Sequence, residues 1–297
     1  MKITIAGGTG FLGKSLVSYL ESKQHEVIVL SRSPKGPNQV FWDGQTKGNW
    51  CKRADGSDVL INLCGKSVDC RYTQKNKKEI LDSRLKSTYT LHDFLLETPN
   101  KPKLWLNASS ATAYIHAETI LMDEENGIIG DDFSMNVCKE WEKAFFAKTY
   151  PEIRQVTLRT AIVFGNDGGA YPRFRLLSKL GLGGKHGSGK QKISWVHIDD
   201  FCRAVEFIMQ IEEIEGAVNI CAPTRVSNSK LSKLTQKKYK VPLALNHPIA
   251  LLELGAAIIG TETELLLKSR NVFPGILRSA GFNFKYKKIE ECLASLN

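Results

Sequence analysis

The sequence predicts an α/β chain, a doubly wound parallel sheet followed by a smaller, mostly helical C-terminal lobe. Three observations predict it. Apolar runs of strand length alternate with segments of helical periodicity from the first residue to about Gly165. The first strand–helix junction carries glycines at positions 7, 10 and 13. From Gly168 the composition shifts to glycine and basic residues, and the rest of the 297-residue chain reads mostly as helix. With 42% hydrophobic residues the chain is globular, long enough for one or two domains.

Ile3, Ile5 and Ala6 supply the first strand, and Leu12, Leu16, Val17 and Leu20 recur at helical spacing after it. Each intervening glycine has its own task. Gly7 permits the tight turn out of the strand. Gly10 removes a side chain where backbone must approach a pyrophosphate, and Gly13 lets the helix pack close to the sheet. The helix then turns free N–H groups and its positive dipole end toward phosphate. An ordinary glycine turn is the competing reading, but strand, glycines and helix agree on a dinucleotide site of the Rossmann type.

Val27 to Leu30 is the second strand, ended by Ser31-Arg32-Ser33-Pro34. An NAD site places a carboxylate near this point to accept the ribose hydroxyls. None occurs from Val27 until Asp43. Arg32, flanked by the Ser31 and Ser33 hydroxyls, is available for a 2′-phosphate, which favours NADP(H). An exposed arginine in a turn is the alternative. Residues Asp58 to Gly65 form a third strand whose end lies beside the cofactor. Gly65 allows close approach there, and Asn62 serves either that site or a structural turn.

A helix is predicted over 73–97, broken by Pro99 and Pro102. The strand Leu104 to Ala108 follows and runs into Ser109-Ser110-Ala111-Thr112-Ala113-Tyr114, at the sheet edge where such folds place their chemistry. A serine-rich turn fits the same run. Helices are predicted over 131–148 and 171–180, and a single strand over 155–164. Val196 to Asp200 leads into a helix reaching about Gln210, with His197 as a capping or structural residue or one that orients the cofactor-side loop. The glycine-rich, basic stretch 168–192 reads as a lid clamping an anionic substrate or as a mobile solvated loop. The apolar run 249–260, interrupted by Glu253, is too short and too charged to span a bilayer and reads as a buried helix.

The seven cysteines form no C-x-x-C pair, so reduced thiols in a cytoplasmic protein are expected. The chain enters a strand at once, which leaves no room for a signal peptide. The six histidines lack H-x-x-x-H spacing, so no metal site is expected. The net charge of +10 is spread along the chain without a nucleic-acid motif, so it reads as solvated surface with part of it aimed at an anionic substrate.

The order of motifs resembles the extended short-chain dehydrogenase/reductase family, and within it the atypical, YfcH-like branch of the NAD(P)-dependent epimerase/dehydratase proteins. The matching pieces are G-G-T-G-F-L-G at the start, L-S-R-S-P after the second strand, I-N-L-C-G at 61–65 and E-I-L-D-S-R at 79–84. Further on come L-R-T-A-I-V-F-G at 158–165, G-L-G-G at 181–184, S-W-V-H-I-D-D at 194–200, Arg270-Asn271-Val272-Phe273-Pro274 and Ala280-Gly281-Phe282. The resemblance implies NADP(H) on an N-terminal domain of residues 1–167, to which 195–222 return. It implies a nucleotide-sugar-like or small carbonyl substrate under a lobe of 168–194 and 223–297. The implied cofactor residues are Gly7, Thr9, Gly10, Phe11, Leu12, Gly13, Ser31, Arg32, Ser33, Asn62, Leu63, Cys64, Gly65 and Arg159. Ser110 matches the active-site serine that hydrogen-bonds the reacting oxygen.

One departure bears on the chemistry. Active members of the wider family carry a Tyr-x-x-x-Lys pair on the helix after that serine, and alignment on Trp141-Glu142 puts Ser134 and Cys138 at those positions. Tyr114 is the nearest replacement acid, and an aromatic packed against the loop is the better-supported reading of it. Two functions follow: an NADP(H)-dependent oxidoreductase or epimerase without the usual pair, and a non-catalytic NADPH-binding regulatory protein. A homodimer is compatible with both.

Overall fold

The computed structural model describes residues 1–249, 252–253 and 262–297. Its first half alternates as the sequence predicts except for β3 and α2, which the sequence did not reveal: β1 (Lys2–Ala6), α1 (Phe11–Ser22), β2 (Glu26–Ser31), β3 (Gln39–Phe41), α2 (Trp50–Ala54), β4 (Val59–Asn62), α3 (Gln74–Glu97), β5 (Leu104–Ser110), α4 (Phe133–Phe145) and β6 (Arg154–Thr160). Then follow β7 (Ile162–Gly165), β8 (Gly168–Gly169), α5 (Tyr171–Lys179), β9 (Lys192–Ile193), β10 (Trp195–His197), α6 (Ile198–Gln210) and β11 (Gly216–Ile220). The last elements are β12 (Val226–Ser227), α7 (Asn228–Tyr239), α8 (Glu264–Leu267), α9 (Gly275–Ser279) and α10 (Ile289–Ser295). Most of the predicted helix at 249–260 lies outside the described residues.

Seven strands in the order β11-β6-β5-β4-β1-β2-β3 make one sheet, and every pairing in it is parallel. The order reverses at β1, so the carboxyl ends of β1 and β4 border the crevice where doubly wound sheets bind ligands. Alternation sorts the side chains. Ile3, Ile5, Val27, Val29, Val59, Ile61, Leu104 and Leu106 share a core with α1 and α6. Their neighbours Ala6, Ile28, Leu30, Leu60 and Trp105 pack on the opposite face with Leu91, Phe94 and Leu95 of α3. Both faces are therefore covered, as a parallel sheet requires. Each fully buried Leu, Ile or Val contributes about 1.5–3 kcal/mol relative to exposure.

Helix starts follow local chemistry. Thr73, Asp132, His197 and Ser227 each accept a backbone N–H at the head of α3, α4, α6 and α7. His197 does so through Nδ1, 3.0 Å from the Asp199 nitrogen, so it is a cap. One expectation is corrected. The strand predicted over 155–164 is two strands in different sheets: β6 ends at Thr160, and β7 pairs with β10 and β8. Periodicity carries through Ala161 and cannot register the change of partner.

The stretch 168–192, read as a lid or a mobile loop, is tied by hydrogen bonds to later parts of the chain. Gly181 C=O accepts from Leu245 N–H at 2.9 Å, His247 N–H donates to Lys185 C=O at 2.9 Å, and Gly187 N–H donates to His247 C=O at 2.9 Å. Asn228 Oδ1 accepts from His186 N–H at 2.7 Å. Several of its cations are engaged elsewhere: Arg173 pairs with Asp69, and Lys179 lies over the Tyr239 ring. Among the described residues, no helix is long and apolar enough to cross a membrane.

His186 is buried inside this strapped segment. Burial, helped by the charge of His247, pushes its imidazole down to about 4. The unfolded chain therefore takes up this proton first as pH falls. The fold should lose about 3 kcal/mol between pH 6.5 and 4 from this residue. Urea unfolding across that range checks this: in His186→Gln the stability should fall less steeply with acid than in the unsubstituted chain.

Candidate functional site

The glycine turn has the geometry that a phosphate cradle needs, with one glycine explained from outside the protein. Gly7 is left-handed (φ +79°), and a Cβ on it would lie 2.9 Å from the Leu63 carbonyl carbon. A Cβ on Gly13 would lie 2.5 Å from both the Gly7 oxygen and the Gly8 Cα. Gly13 thus packs the helix on its own turn rather than on the sheet. At Gly10 a Cβ would meet nothing nearer than the Gly7 oxygen at 3.6 Å. No packing demand explains glycine there. Gly10 and Thr9 are exposed, α1 has no side-chain cap, and the first bond of the helix beyond the turn is Lys14 N–H to Gly10 C=O. The N–H groups of Phe11, Leu12 and Gly13 stand ahead of that ladder.

The Phe11 side chain takes a different course. Cβ atoms on Gly165, Gly168 and Gly169 would approach its ring to 2.8, 2.5 and 2.9 Å. The ring occupies a glycine-lined slot in the β7–β8 hairpin, so only the Phe11 backbone faces the turn's N–H group.

At the end of β2, Arg32 and Ser33 are exposed, while Ser31 is buried and its Oγ accepts from Ser33 N–H at 3.1 Å. Asp43, the next carboxylate along, is committed to its own turn through Gln45 and Thr46. Arg32 also pulls on the Cys64 thiol, which burial raises to about 12. In the sheet β2 and β4 flank β1, so Arg32 and the β4 end lie on either side of the glycine turn. Asn62 is fully buried: its Nδ2 donates to Asn107 Oδ1 at 2.8 Å and its Oδ1 accepts from Cys64 N–H at 3.1 Å. Its side chain is the structural turn former, and it holds Leu63 to Gly65 at the edge.

Ser110 ends β5, two strands from the glycine turn, about 10 Å across the sheet at the usual strand spacing. Its Oγ accepts from Thr112 N–H at 3.2 Å, and among the described residues the hydroxyl proton has no acceptor. Tyr114 is the packed aromatic that the sequence favoured over a replacement acid, and Arg159 faces the interior. The Tyr114 side chain has no exposed surface, and its hydroxyl donates to Asn219 Oδ1 at 3.0 Å and accepts from Arg159 Nη1 at 2.9 Å. Burial raises the phenol. Arg159 also donates from Nε to Glu142 Oε1 at 2.9 Å and from Nη2 to Oε2 at 2.7 Å. Burial opposes its charge, but Glu142 outweighs burial and holds the guanidinium above its ordinary value. Both residues belong to a satisfied interior network, because a β6 side chain on this face meets α4 before it meets solvent.

The positions of the missing pair are inert. Ser134 Oγ bonds Glu264 and Asp132, and burial pushes the Cys138 thiol up to about 12. Sequence reasoning assigned nothing to Arg84, whose guanidinium lies against the Gly65 backbone and 5.0 Å from the Trp141 ring, or to Arg270. Both arginines stand in quoted motifs, but a motif does not say which way a side chain runs. No group of three or more His, Cys, Asp or Glu residues that could hold a metal occurs among the described residues. A cavity of about 450 Å³ between α1 and α6, lined by Ser15, Tyr19, Asp199 and Arg203 among others, contains none of the candidate residues.

The profile of the NAD dependent epimerase/dehydratase family matches residues 3–221, and that of a domain of unknown function, DUF1731, matches 248–296. The bovine (Bos taurus) epimerase family protein SDR39U1 is 30% identical over 298 residues, covering 99% of this chain and 98% of its own. The crystal structure of human epimerase family protein SDR39U1 with NADPH superposes with a TM-score of 0.89 at 28% identity, covering 99% and 98% of the two chains. A nucleoside-diphosphate sugar epimerase from Corynebacterium glutamicum superposes with a TM-score of 0.80 at 28% identity, over 99% of this chain and 57% of that one. The chain belongs to the NAD dependent epimerase/dehydratase family.

Proposed function

We propose that this protein binds NADP(H) across the β1–β4 crevice and acts as an epimerase or oxidoreductase on a small carbonyl or nucleotide-sugar-like substrate. The observation that carries the cofactor reading is Gly10, a glycine with open space where its Cβ would be, beside N–H groups outside the helical ladder. The NADPH bound by the human relative supports it. Thr9 to Gly13 would hold the pyrophosphate through backbone N–H groups. Arg32, with Ser33, would hold the 2′-phosphate, and Leu63 to Gly65 would border the adenosine side. The cofactor, when bound, supplies hydride exchange at the nicotinamide. The chain's own part is to fix the substrate oxygen, and Ser110 does so by donating its free hydroxyl proton. Residues 168–194 and 223–297 would form the substrate lobe over 1–167 and the returning 195–222; a second core supports a separate lobe, though Phe164 and Trp195 of the first part share it with Tyr171, Leu231 and Leu293. Seven unpaired thiols support a reducing, cytoplasmic setting.

A second reading is a non-catalytic NADPH-binding regulator. The inert Ser134 and Cys138 favour it, since neither supplies the acid that ordinary members use.

Thermal unfolding with each nucleotide tests the cofactor. NADPH at a hundredfold excess over its dissociation constant should add about 2.7 kcal/mol, a midpoint rise of several degrees, with NADH giving far less. Arg32→Ala should weaken NADPH binding about 10- to 100-fold and leave NADH unchanged. Equal shifts for the two nucleotides would remove Arg32 from the 2′-phosphate site.

Ser110→Ala separates the two functions. In the catalytic reading, hydride transfer to a panel of carbonyl compounds and nucleotide sugars falls at least 100-fold while NADPH affinity is kept. No transfer by the unsubstituted protein, together with a cellular role intact in Ser110→Ala, selects the regulator.

A further inference from the structure

Charge is unevenly compensated over the second part of the chain. Residues 168–198 and 216–249 carry six Lys or Arg each and no Asp or Glu, and Glu253 is the next carboxylate along. Arg173 and Lys230 find carboxylates in other segments, Asp69 and Glu290. Lys179, Lys185, Lys190, Lys233, Lys237 and Lys240 are exposed and form no ion pair among the described residues. The fold brings the two segments together. Leu245 N–H donates to Gly181 C=O and His247 N–H to Lys185 C=O, both at 2.9 Å. The Lys179 ammonium lies 5.4 Å from the centre of the Tyr239 ring at the end of α7. Part of the net charge is thereby gathered in one place, with no carboxylate of its own segments to offset it.

Exposed leucines stand among these cations. Leu176 and Leu180, one helical turn apart at the end of α5, are 58% and 63% exposed. Leu243 and Leu245, on the segment bonded to Gly181, are 77% and 57% exposed. Leu180 precedes Gly181, and a Cβ on Gly181 would lie 3.6 Å from the Leu243 oxygen, so Leu180, Leu243 and Leu245 gather around one turn. Lys179 and Lys185 flank that turn, and Lys240 comes three residues before Leu243. The inner side of α5 is already used, because Leu177 lines a small interior cavity with Leu182 and Leu231. Single exposed leucines are ordinary, whereas a cluster of them rimmed by charge marks an interaction surface.

We propose that the face formed by the end of α5, the Gly181 turn and the Leu243–Leu245 segment docks the protein on an anionic phospholipid surface. The leucines enter the boundary between headgroups and acyl chains, and the lysines reach the lipid phosphates, their stems lying along the apolar side chains. Charge complementarity carries the choice of occupant, and composition supports it. Protein interfaces are depleted in lysine and enriched in aromatic residues, and the exposed large hydrophobics of this face are all aliphatic. A second copy related by a two-fold axis would set lysines against lysines. Single-stranded nucleic acid is held by aromatic stacking, which this face does not offer. The attachment is peripheral and independent of the cofactor reading.

The test is flotation of the full chain with vesicles of phosphatidylcholine and of a phosphatidylcholine–phosphatidylglycerol mixture. Partition to the mixed vesicles should be about 10-fold or more tighter than to the neutral ones. Leu243→Ser with Leu245→Ser should weaken it about 10-fold at an unchanged thermal midpoint, because both side chains are exposed. Lys185→Glu with Lys240→Glu should weaken it at least as much. Lys52→Glu with Lys103→Glu makes the same change in net charge within residues 1–167 and should leave most of the binding. Should the serine pair fail to fold, the two lysine pairs decide. No partition to the mixed vesicles overturns the site, and so does equal loss in the two lysine pairs with none in the serine pair, which is adsorption by net charge alone. A leucine-dependent dimer in sedimentation equilibrium would make a second copy the occupant. Retention by an acidic polypeptide or DNA without vesicle partition would make it an acidic protein or a nucleic acid. Either result overturns the lipid surface.

Discussion

The approach of α1 to the turn beneath it governs this molecule. A side chain on Gly13 would begin 2.5 Å from the Gly7 oxygen, so the helix starts on top of the strand's own exit. That contact sets the unladdered N–H groups over the end of β1. It also directs the Phe11 ring into the slot of Gly165, Gly168 and Gly169, which couples the turn to the smaller sheet. Gly7 in turn packs on Leu63, so the ends of β1 and β4 are held together at the point where the strand order reverses. One close backbone contact thereby joins the cofactor turn, the β4 edge and the hairpin that follows β6.

Charge is handled in two ways behind that edge. Glu142, Arg159, Tyr114, Asn219 and Glu124 form a chain in which each polar group meets a partner, down to Glu124 Oε1 accepting from the Asn219 backbone at 2.8 Å. Such a network is rigid and has little left to offer a ligand. Arg84 instead spends Nη1 on the backbone carbonyls of Lys66 and Ile80 and lies over the Trp141 ring.

How far the sequence could be read depended on the range of the interaction. Gly7 and the alternation of Ile3, Ile5, Val27 and Val29 were legible because each answers to neighbours within a turn or a strand. The break at Ala161 was not, since both strands share one apolar pattern and differ only in the strand they pair with. The stretch 168–192 read as either a lid or a mobile loop because its anchors, Asn228, Leu245 and His247, come from far along the chain.

The candidate site divides along the same line. A glycine-spaced strand–helix junction and an arginine where a carboxylate would serve NAD are local facts, and they specify a parallel dinucleotide-binding sheet with its cofactor turn. Whether a polar residue faces the crevice or the interior is decided by what packs beside it. Tyr114 and Arg159 turn inward to Asn219 and Glu142. Neutralisation and desolvation depend on those long-range neighbours, so only the folded chain could show that Arg159 is neutralised by Glu142 while Arg32 stays exposed.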